Sequence, residues 1–164
     1  MKKIYLLTLF VALSTTFTSC VSTKKLLDSP PPKTKIIENK ATKNSNFIKA
    51  NEWMVETFND AESVIQFTDK EAGIVKGKYV MRKGSVTPGL YGTTTTVEPF
   101  YAIITIRVKD KASKIEIDPP SGMYTQKAMD VEYGFTPEQF NLETDVLLAS
   151  FEKAMLSKSA NEDW

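Results

Sequence analysis

The chain has 164 residues, of which 41% are hydrophobic and 25% are charged, a balance typical of one globular domain. The formal net charge is only +1, so no overall field attracts nucleic acid or an acidic substrate. The chain contains no histidine and a single cysteine, Cys20. This composition excludes an internal disulfide, a cysteine-based metal cluster and any mechanism that needs a histidine base within the chain.

The N-terminus has the pattern of an export signal. Lys2 and Lys3 precede the apolar run Ile4–Leu13, which is shorter than the roughly 20 residues that a bilayer span requires. The run Phe17-Thr18-Ser19-Cys20 resembles the lipobox of bacterial lipoproteins, although Leu is usual where Phe17 stands. That resemblance implies a signal peptide at residues 1–19 and acyl chains, palmitate among them, on Cys20. The alternative is an ordinary secretory signal followed by an incidental cysteine.

A lipid-attached protein of this kind belongs to the cell envelope. Several acyl chains hold a protein on a membrane where one chain binds only marginally. We expect attachment to the outer membrane, facing the periplasm or the cell surface. Residues 20–33 contain the proline run Pro30–Pro32 and several lysines, which predicts a flexible, lipid-attached tether. A single domain is expected at residues 34–157, followed by a polar tail at residues 158–164.

The sequence of the first part of this domain predicts one strand and one helix. The strand is Thr34–Glu38. A cap at Asn44, Ser45 or Asn46 then starts a helix that extends to Phe58. The apolar residues of this helix recur at three- and four-residue spacing, and they are Phe47, Ala50, Trp53, Met54 and Phe58. Such a stripe predicts that Trp53 is a core residue.

The middle of the domain predicts four antiparallel strands. Val64–Thr68 and Ile74–Met81 form a hairpin around a turn in which Gly73 adopts a left-handed conformation. Lys83–Val97 is expected to be an exposed loop with a type II turn at Pro88-Gly89. The other strands are Glu98–Lys109, which alternates strictly between apolar and mixed residues, and Lys114–Asp118.

The C-terminal part predicts one further helix. Met123–Phe135 shows no period and is expected to be a loop. A capped single turn at Phe135-Thr136-Pro137-Glu138 precedes a helix at Glu143–Leu156. The element order is therefore β-α-β-β-β-β-α. This order predicts an α+β fold in which the two helices cover one face of an antiparallel sheet.

Three short segments carry a resemblance to a known family. They are Trp53 on the first helix, the run from Asp69 to Gly77 (DKEAGIVKG), and Val108-Lys109-Asp110. With these segments, residues Lys33 to Asp118 resemble the family catalogued as domain of unknown function 4468. The resemblance implies an exported protein or lipoprotein of Gram-negative bacteria with a TATA-binding-protein-like fold. The Gly-Arg-aromatic run usual after the Lys-Asp turn is replaced here by Lys111-Ala112-Ser113-Lys114.

The sequence shows no arrangement of residues typical of catalysis or of a bound cofactor. Asp69, Glu71 and Gly73 share some features of a calcium loop, but the glycine comes one place early. Val80 stands where the bidentate carboxylate would be. We therefore expect no metal, no cofactor and no enzymatic activity. The alternatives are an unrecognised hydrolase, or a nucleic-acid-binding domain suggested by fold analogy alone, which near-neutral charge opposes.

The sheet face that the helices leave uncovered, here called the open face, is the predicted binding surface. Strand parity assigns Phe100, Ala102, Ile104, Ile106 and Val108 to the core. The opposite parity places on the open face a candidate set of Tyr101, Ile103, Arg107, Lys76 and Lys78. The accompanying residues are Thr105, Ile74, Val80, Val64, Gln66 and Thr68. Such residues suit an envelope protein, a glycan, a lipid or a second copy of the chain. The competing interpretation is a merely solvated sheet face.

Overall fold

A computed structural model describes residues 23–58, 64–88, 94–128 and 131–157. The predicted signal peptide, Cys20 and the predicted polar tail lie outside these residues. The strands are β1 (Thr23–Leu26), β2 (Lys33–Glu38), β3 (Val64–Asp69), β4 (Ile74–Arg82), β5 (Ser85–Pro88), β6 (Thr94–Val97), β7 (Phe100–Lys109), β8 (Ala112–Asp118), β9 (Tyr124–Ala128) and β10 (Val131–Phe135). The helices are α1 (Lys43–Thr57) and α2 (Pro137–Leu156). Neither described helix is long and apolar enough to cross a membrane.

A five-stranded antiparallel sheet forms the centre of the molecule. Its strand order is β2-β8-β7-β4-β3, and α1 and α2 pack together against one of its faces. The elements that build this layer follow the chain order β2, α1, β3, β4, β7, β8, α2. The predicted α+β class is confirmed, and β1, β5, β6, β9 and β10 are strands that the sequence did not predict.

Strict alternation in β7 places the core where strand parity predicts it. Ala102, Ile104 and Ile106 are fully buried, and Phe100 and Val108 are buried beside them. Ile115 and Ile117 of β8 and Val75 of β4 extend the same apolar layer under the helices. The residues between them face the other side of the sheet, so β7 defines both faces.

Trp53 joins the two helices inside this core. Only 3% of the residue is exposed, and its ring meets Phe151 of α2 edge-on at 5.1 Å between centroids. Its indole Nε1 donates a hydrogen bond to Ser150 Oγ at 3.1 Å, which satisfies the one polar atom of the ring. The prediction that Trp53 is a core residue is confirmed.

The turn between β3 and β4 also follows its sequence. Gly73 has φ +69°, and Asp69 Oδ1 accepts a hydrogen bond from Ala72 N at 2.8 Å. A Cβ atom at Gly73 would lie 2.5 Å from the carbonyl oxygen of Val108, so the position requires glycine for space as well as for conformation.

Both helices begin earlier than the sequence predicts. Thr42, rather than Asn44, Ser45 or Asn46, caps α1 by accepting a hydrogen bond from Ser45 N. The residue expected as a cap, Asn46, is instead buried and donates to the Lys109 carbonyl at 2.9 Å. The predicted single turn at Thr136-Pro137-Glu138 is the first turn of α2 itself, because Thr136 and Gln139 form a reciprocal capping box.

A second, three-stranded sheet lies where the sequence predicts a tether and a loop. Its order is β1-β9-β10, so Tyr124–Ala128 and Val131–Phe135 correct the predicted loop at Met123–Phe135. The structure differs from the flexible tether predicted for residues 20–33, because Thr23–Leu26 pairs with β9. Leu27, the residue after β1, is also held, because its backbone N donates a hydrogen bond to Met123 O at 2.9 Å.

The predicted exposed loop at Lys83–Val97 contains a short hairpin. Ser85–Pro88 pairs with Thr94–Val97, with Ser85 opposite Val97 and Pro88 opposite Thr94. Gly89 of the predicted type II turn lies outside the described residues. Valine and threonine favour extended backbone, so the threonine run forms a strand once a partner strand is present.

Candidate binding face

Strands β4 and β7 position the central part of the open face. Their register sets Lys78 opposite Ile103, Lys76 opposite Thr105 and Ile74 opposite Arg107. Residues that stand opposite each other in an antiparallel pair share one face. The structure therefore places the predicted residues Ile103, Lys76, Lys78 and Arg107 on the open face, with Tyr101 on the same parity of β7.

Tyr101 and Lys78 form the best-defined contact of this face. The ammonium nitrogen of Lys78 lies 3.5 Å from the centroid of the Tyr101 ring. An exposed cation–π contact of this kind contributes about 0.5–1 kcal/mol. It also holds the lysine against the sheet, so Tyr101, Lys78 and Ile103 present one aromatic, basic and aliphatic cluster.

Arg107 belongs to the other end of the face. It lies six positions along β7 from Tyr101, which corresponds to about 20 Å. Across the ladder it faces Lys114 of β8. The structure therefore does not bring Arg107 into the Tyr101 cluster. The five candidate residues extend along a single surface, with Lys76 between the cluster and Arg107.

Strand β8 contributes an ion pair that is absent from the predicted binding surface. Lys114 Nζ lies 2.8 Å from Glu116 Oε2, and both residues lie on the open face. The hydrogen bond from Lys114, then its charge and that of Arg107, lower the pKa of the Glu116 carboxyl below its usual value. The spacing of two residues on a strand places such a pair on one face and was visible in the sequence.

A bulge changes which residues of β3 reach the open face. The pairing with β4 shifts between Ile65 and Phe67, so Phe67 stands opposite Lys76 and Thr68 stands opposite Val75. One extra residue reverses the side-chain parity of a strand. Thr68 was therefore wrongly predicted for the open face, and Phe67, which is 51% exposed, occupies it instead.

The open face is buried at the end where Val80 lies. Val80 stands opposite Tyr101 in the register, as predicted, but it is buried. A shallow hollow of about 250 Å³ lies at the opposite end, bordered by Arg107, Ala112, Lys114 and the exposed Ile36. The accessible part of the face therefore runs from the Tyr101 cluster to the hollow beside β2.

The electrostatic character of the open face is uneven across the sheet. Strands β4 and β7 contain no acidic residue, whereas Lys76, Lys78 and Arg107 project from them on this side. Acidic side chains on this face belong to the flanking strands, such as Glu116 of β8. The two central strands therefore form a basic strip that also carries apolar and aromatic side chains.

A groove lies outside this face, between β4, the β1-β9-β10 sheet and α2. It measures about 1000 Å³ and is bordered by Arg82, Tyr124, Tyr133 and the start of α2. Arg82 closes part of its wall by donating a hydrogen bond from Nη1 to the Gly134 carbonyl. In the parts of the chain that the structure describes, no group of three or more acidic or cysteine side chains is arranged to hold a metal ion.

This combination defines an α+β domain with one helix-covered and one exposed sheet face. Two solved structures share its shape. A DUF4468 family protein from Bacteroides ovatus ATCC 8483 gives a TM-score of 0.50 at 12% identity, over 79% of this chain and 88% of that chain. A TBP-like protein from Parabacteroides distasonis ATCC 8503 gives 0.49 at 14% identity, over 76% and 91%.

The Bacteroides ovatus protein carries the name of the family that the sequence resembles. At 12% identity, the likeness to the Bacteroides ovatus protein shows a common fold. Protein-family models and curated proteins give no match to the chain. The fold expected from the resemblance is thus confirmed, and the candidate site has to be interpreted from its own residues.

Proposed function

We propose that this chain is a non-catalytic binding module of the cell envelope, attached to the membrane through acyl chains on Cys20. Its ligand is an acidic segment of another envelope protein that also carries apolar side chains. The observation that supports this partner is the basic strip of β4 and β7, in which Lys76, Lys78 and Arg107 share one face with Tyr101 and Ile103, and neither strand contains an acidic residue.

The chemistry of the strip favours protein over the other candidate ligands. Aromatic and arginine side chains, with apolar neighbours, are enriched where proteins bind one another. The strip is narrow and is flanked by Glu116 on β8, which limits attraction to a uniformly anionic surface. Charge complementarity on such a face mainly increases the association rate and the specificity.

Site-specific photocrosslinking tests the partner. A photoreactive residue replaces Thr105, which lies opposite Lys76 on the open face, and the matched control replaces the exposed Glu52 of α1. In intact cells we expect a discrete adduct with an acidic envelope protein from position 105 and none from position 52. The adduct is expected to weaken in the Tyr101→Ala, Arg107→Ala double variant, because that change removes both ends of the strip.

Three outcomes would contradict this function. An adduct that persists unchanged in the double variant would mean that the strip does not bind the partner. Adducts to lipid or glycan alone would assign the face to those ligands. Competition by duplex DNA with a steep salt dependence would support the nucleic-acid alternative instead.

The anchor requires a separate test. Cys20 is the only cysteine and directly follows the predicted signal peptide. Cells grown with a labelled fatty-acid analogue should label the wild-type chain, and the Cys20→Ser chain should lose that label. Equal labelling of the two chains would contradict acylation at Cys20 and leave the binding proposal to be judged by crosslinking.

A further inference from the structure

The two edges of the central sheet are protected differently. Strand β3 forms one edge and contains the bulge near Gln66, which disrupts pairing with any further strand. Strand β2 forms the other edge, and its six residues keep an unbroken register with β8. Among the strands that the structure describes, β8 is the one neighbour of β2, so the outer backbone groups of β2 face no strand.

The lysines of β2 do not prevent another strand from pairing with this edge. Lysine on an edge strand normally discourages pairing because its charge must be desolvated. Here Lys33 Nζ lies 3.0 Å from Asp145 Oδ1, and Lys35 Nζ lies 2.6 Å from Glu152 Oε2. Both amino groups therefore bend over the helix face towards α2. Ile36, which is 64% exposed, remains at the edge on the opposite face.

Helix α2 carries an apolar stripe on the same side of the molecule. Asp145 and Glu152 are seven residues apart and mark the side of α2 that turns towards β2. Leu142, Ala149 and Leu156 repeat at the same seven-residue spacing beside them. Leu142 is 70% exposed and Leu156 is 58% exposed, so the stripe has no cover from the described residues.

We propose that a second copy of this chain binds along this edge. The β2 strands of the two copies pair antiparallel about a two-fold axis, and the two α2 helices pack side by side through the Leu142, Ala149 and Leu156 stripe. The pairing joins two five-stranded sheets into one of ten strands, and the helix contact buries apolar surface that is otherwise exposed. This proposal does not depend on the proposed ligand or on the lipid anchor.

Charge and the burial of Ile36 together select the register of the pairing, because a register centred on Ile37 also avoids like charges but sets the exposed Ile36 opposite Glu38. In a two-fold antiparallel pair, opposite residues must lie on the same face, and like charges opposite each other are destabilising. A register centred on Thr34 or Lys35 sets lysine opposite lysine, and one centred on Glu38 sets glutamate opposite glutamate. Centring on Ile36 pairs the two exposed isoleucines with each other and Thr34 with Glu38 of the second copy.

Cysteine crosslinking tests this register. Opposite residues in an antiparallel pair have Cα atoms about 4.5–5.5 Å apart, within the range that a disulfide bridges. The Ile36→Cys full chain should therefore form a disulfide-linked dimer on mild oxidation. The Thr34→Cys chain should not, and the wild-type chain controls for Cys20. Equal crosslinking of the Ile36→Cys and Thr34→Cys chains, or none in either, would overturn the register.

Sedimentation of the full chain in detergent tests the interface itself. The wild type should be a dimer at about 100 μM. Ile36→Lys and Leu142→Glu should each weaken the dimer roughly a hundredfold, because each copy loses a buried apolar side chain. Ile36→Lys also sets two like charges opposite each other, and Leu142→Glu places a carboxylate in an apolar helix contact. The control is Val55→Glu, which changes an equally exposed apolar residue of α1 and should leave the dimer intact.

The variants also separate dimerisation from folding. The dissociated variants should keep the circular dichroism spectrum of the wild type, because Ile36 and Leu142 are exposed within one copy. A monomeric wild type would overturn the proposal. So would Ile36→Lys and Leu142→Glu chains that dimerise as tightly as the Val55→Glu chain.

Discussion

The two faces of the central sheet show how one strand can serve two different purposes. On the covered face, β7 contributes an unbroken apolar row that α1 and α2 bury together with Trp53. On the open face, the intervening residues of the same strand mix aromatic, aliphatic and basic side chains, such as Tyr101 and Arg107. The apolar core therefore lies on one side of the sheet, and the side chains of the other side are not needed to cover it.

The pKa values of two carboxyl groups differ in the same way between the covered face and the open face. Glu143 of α2 lies near Tyr79 of β4, and burial raises its pKa above the usual value even though Arg82 acts in the opposite direction. On the open face, the hydrogen bond and charge of Lys114 lower the pKa of Glu116. Burial on the covered side thus destabilises the ionised form of Glu143, whereas Lys114 stabilises the ionised form of Glu116 on the open face.

Replacing one aromatic residue on each face should give the largest difference. Trp53→Ala removes the ring that packs against Phe58 and Phe151 and leaves a cavity. We expect a loss of about 3–5 kcal/mol in the free energy of unfolding. Urea denaturation of the full chain, followed by circular dichroism, measures this loss.

The matched change on the open face is Tyr101→Ala. It removes the stacking on Lys78 and should cost about 1 kcal/mol or less. Equal losses in the two variants would mean that the open face carries part of the folding stability. The division of roles between the faces would then be incorrect.

The smallest expected effects concern pH. Because the folded pKa of Glu143 is raised, its contribution to stability decreases as the pH rises from the usual carboxyl pKa through the raised value. Glu143→Gln should therefore stabilise the protein at neutral pH and have little effect in acid. Glu116 has the opposite sign, because a lowered folded pKa adds stability that is lost as the pH falls.

Urea denaturation compares the effects of Glu143→Gln and Glu116→Gln on stability. The midpoints are measured at about pH 3 and pH 7, below and above the usual carboxyl pKa. We expect the variants to shift the neutral midpoint in opposite directions and to converge with the wild type in acid. The Glu116 effect should be small, because its partner Lys114 is partly exposed. Shifts of the same sign at neutral pH would contradict the contrast between the faces.

Sequence patterns predicted the features that depend on neighbouring residues. The alternation in Phe100–Lys109 gave both faces of β7, and the helical stripe placed Trp53 in the core. The turn at Gly73 followed from its glycine and from Asp69. Of the candidate site, the five predicted residues lie on the face that parity assigns, because β4 and β7 pair without interruption from Ile74 to Val80.

Features that depend on distant partners were not predictable in this way. The bulge near Gln66 arises where β3 pairs with β4, and no residue in β3 marks it. Strands β9 and β10 contain mixed polar residues and a glycine at φ +134°, and they form a sheet by pairing with each other and with β1, about a hundred residues away. Thr42 caps α1 although three further residues of types that favour the cap position, Asn44, Ser45 and Asn46, follow it.

The position of β1 restricts how the domain can stand on a membrane. Two residues, Val21 and Ser22, separate Cys20 from Thr23, the first residue of β1. A chain of this length spans about 10 Å even when fully extended. With acyl chains on Cys20, the end of the domain that carries β1 and β9 would lie at the headgroups, with little freedom to tilt or to reach away. The partner would then meet the basic strip close to the bilayer, at a height and an orientation that the anchor defines.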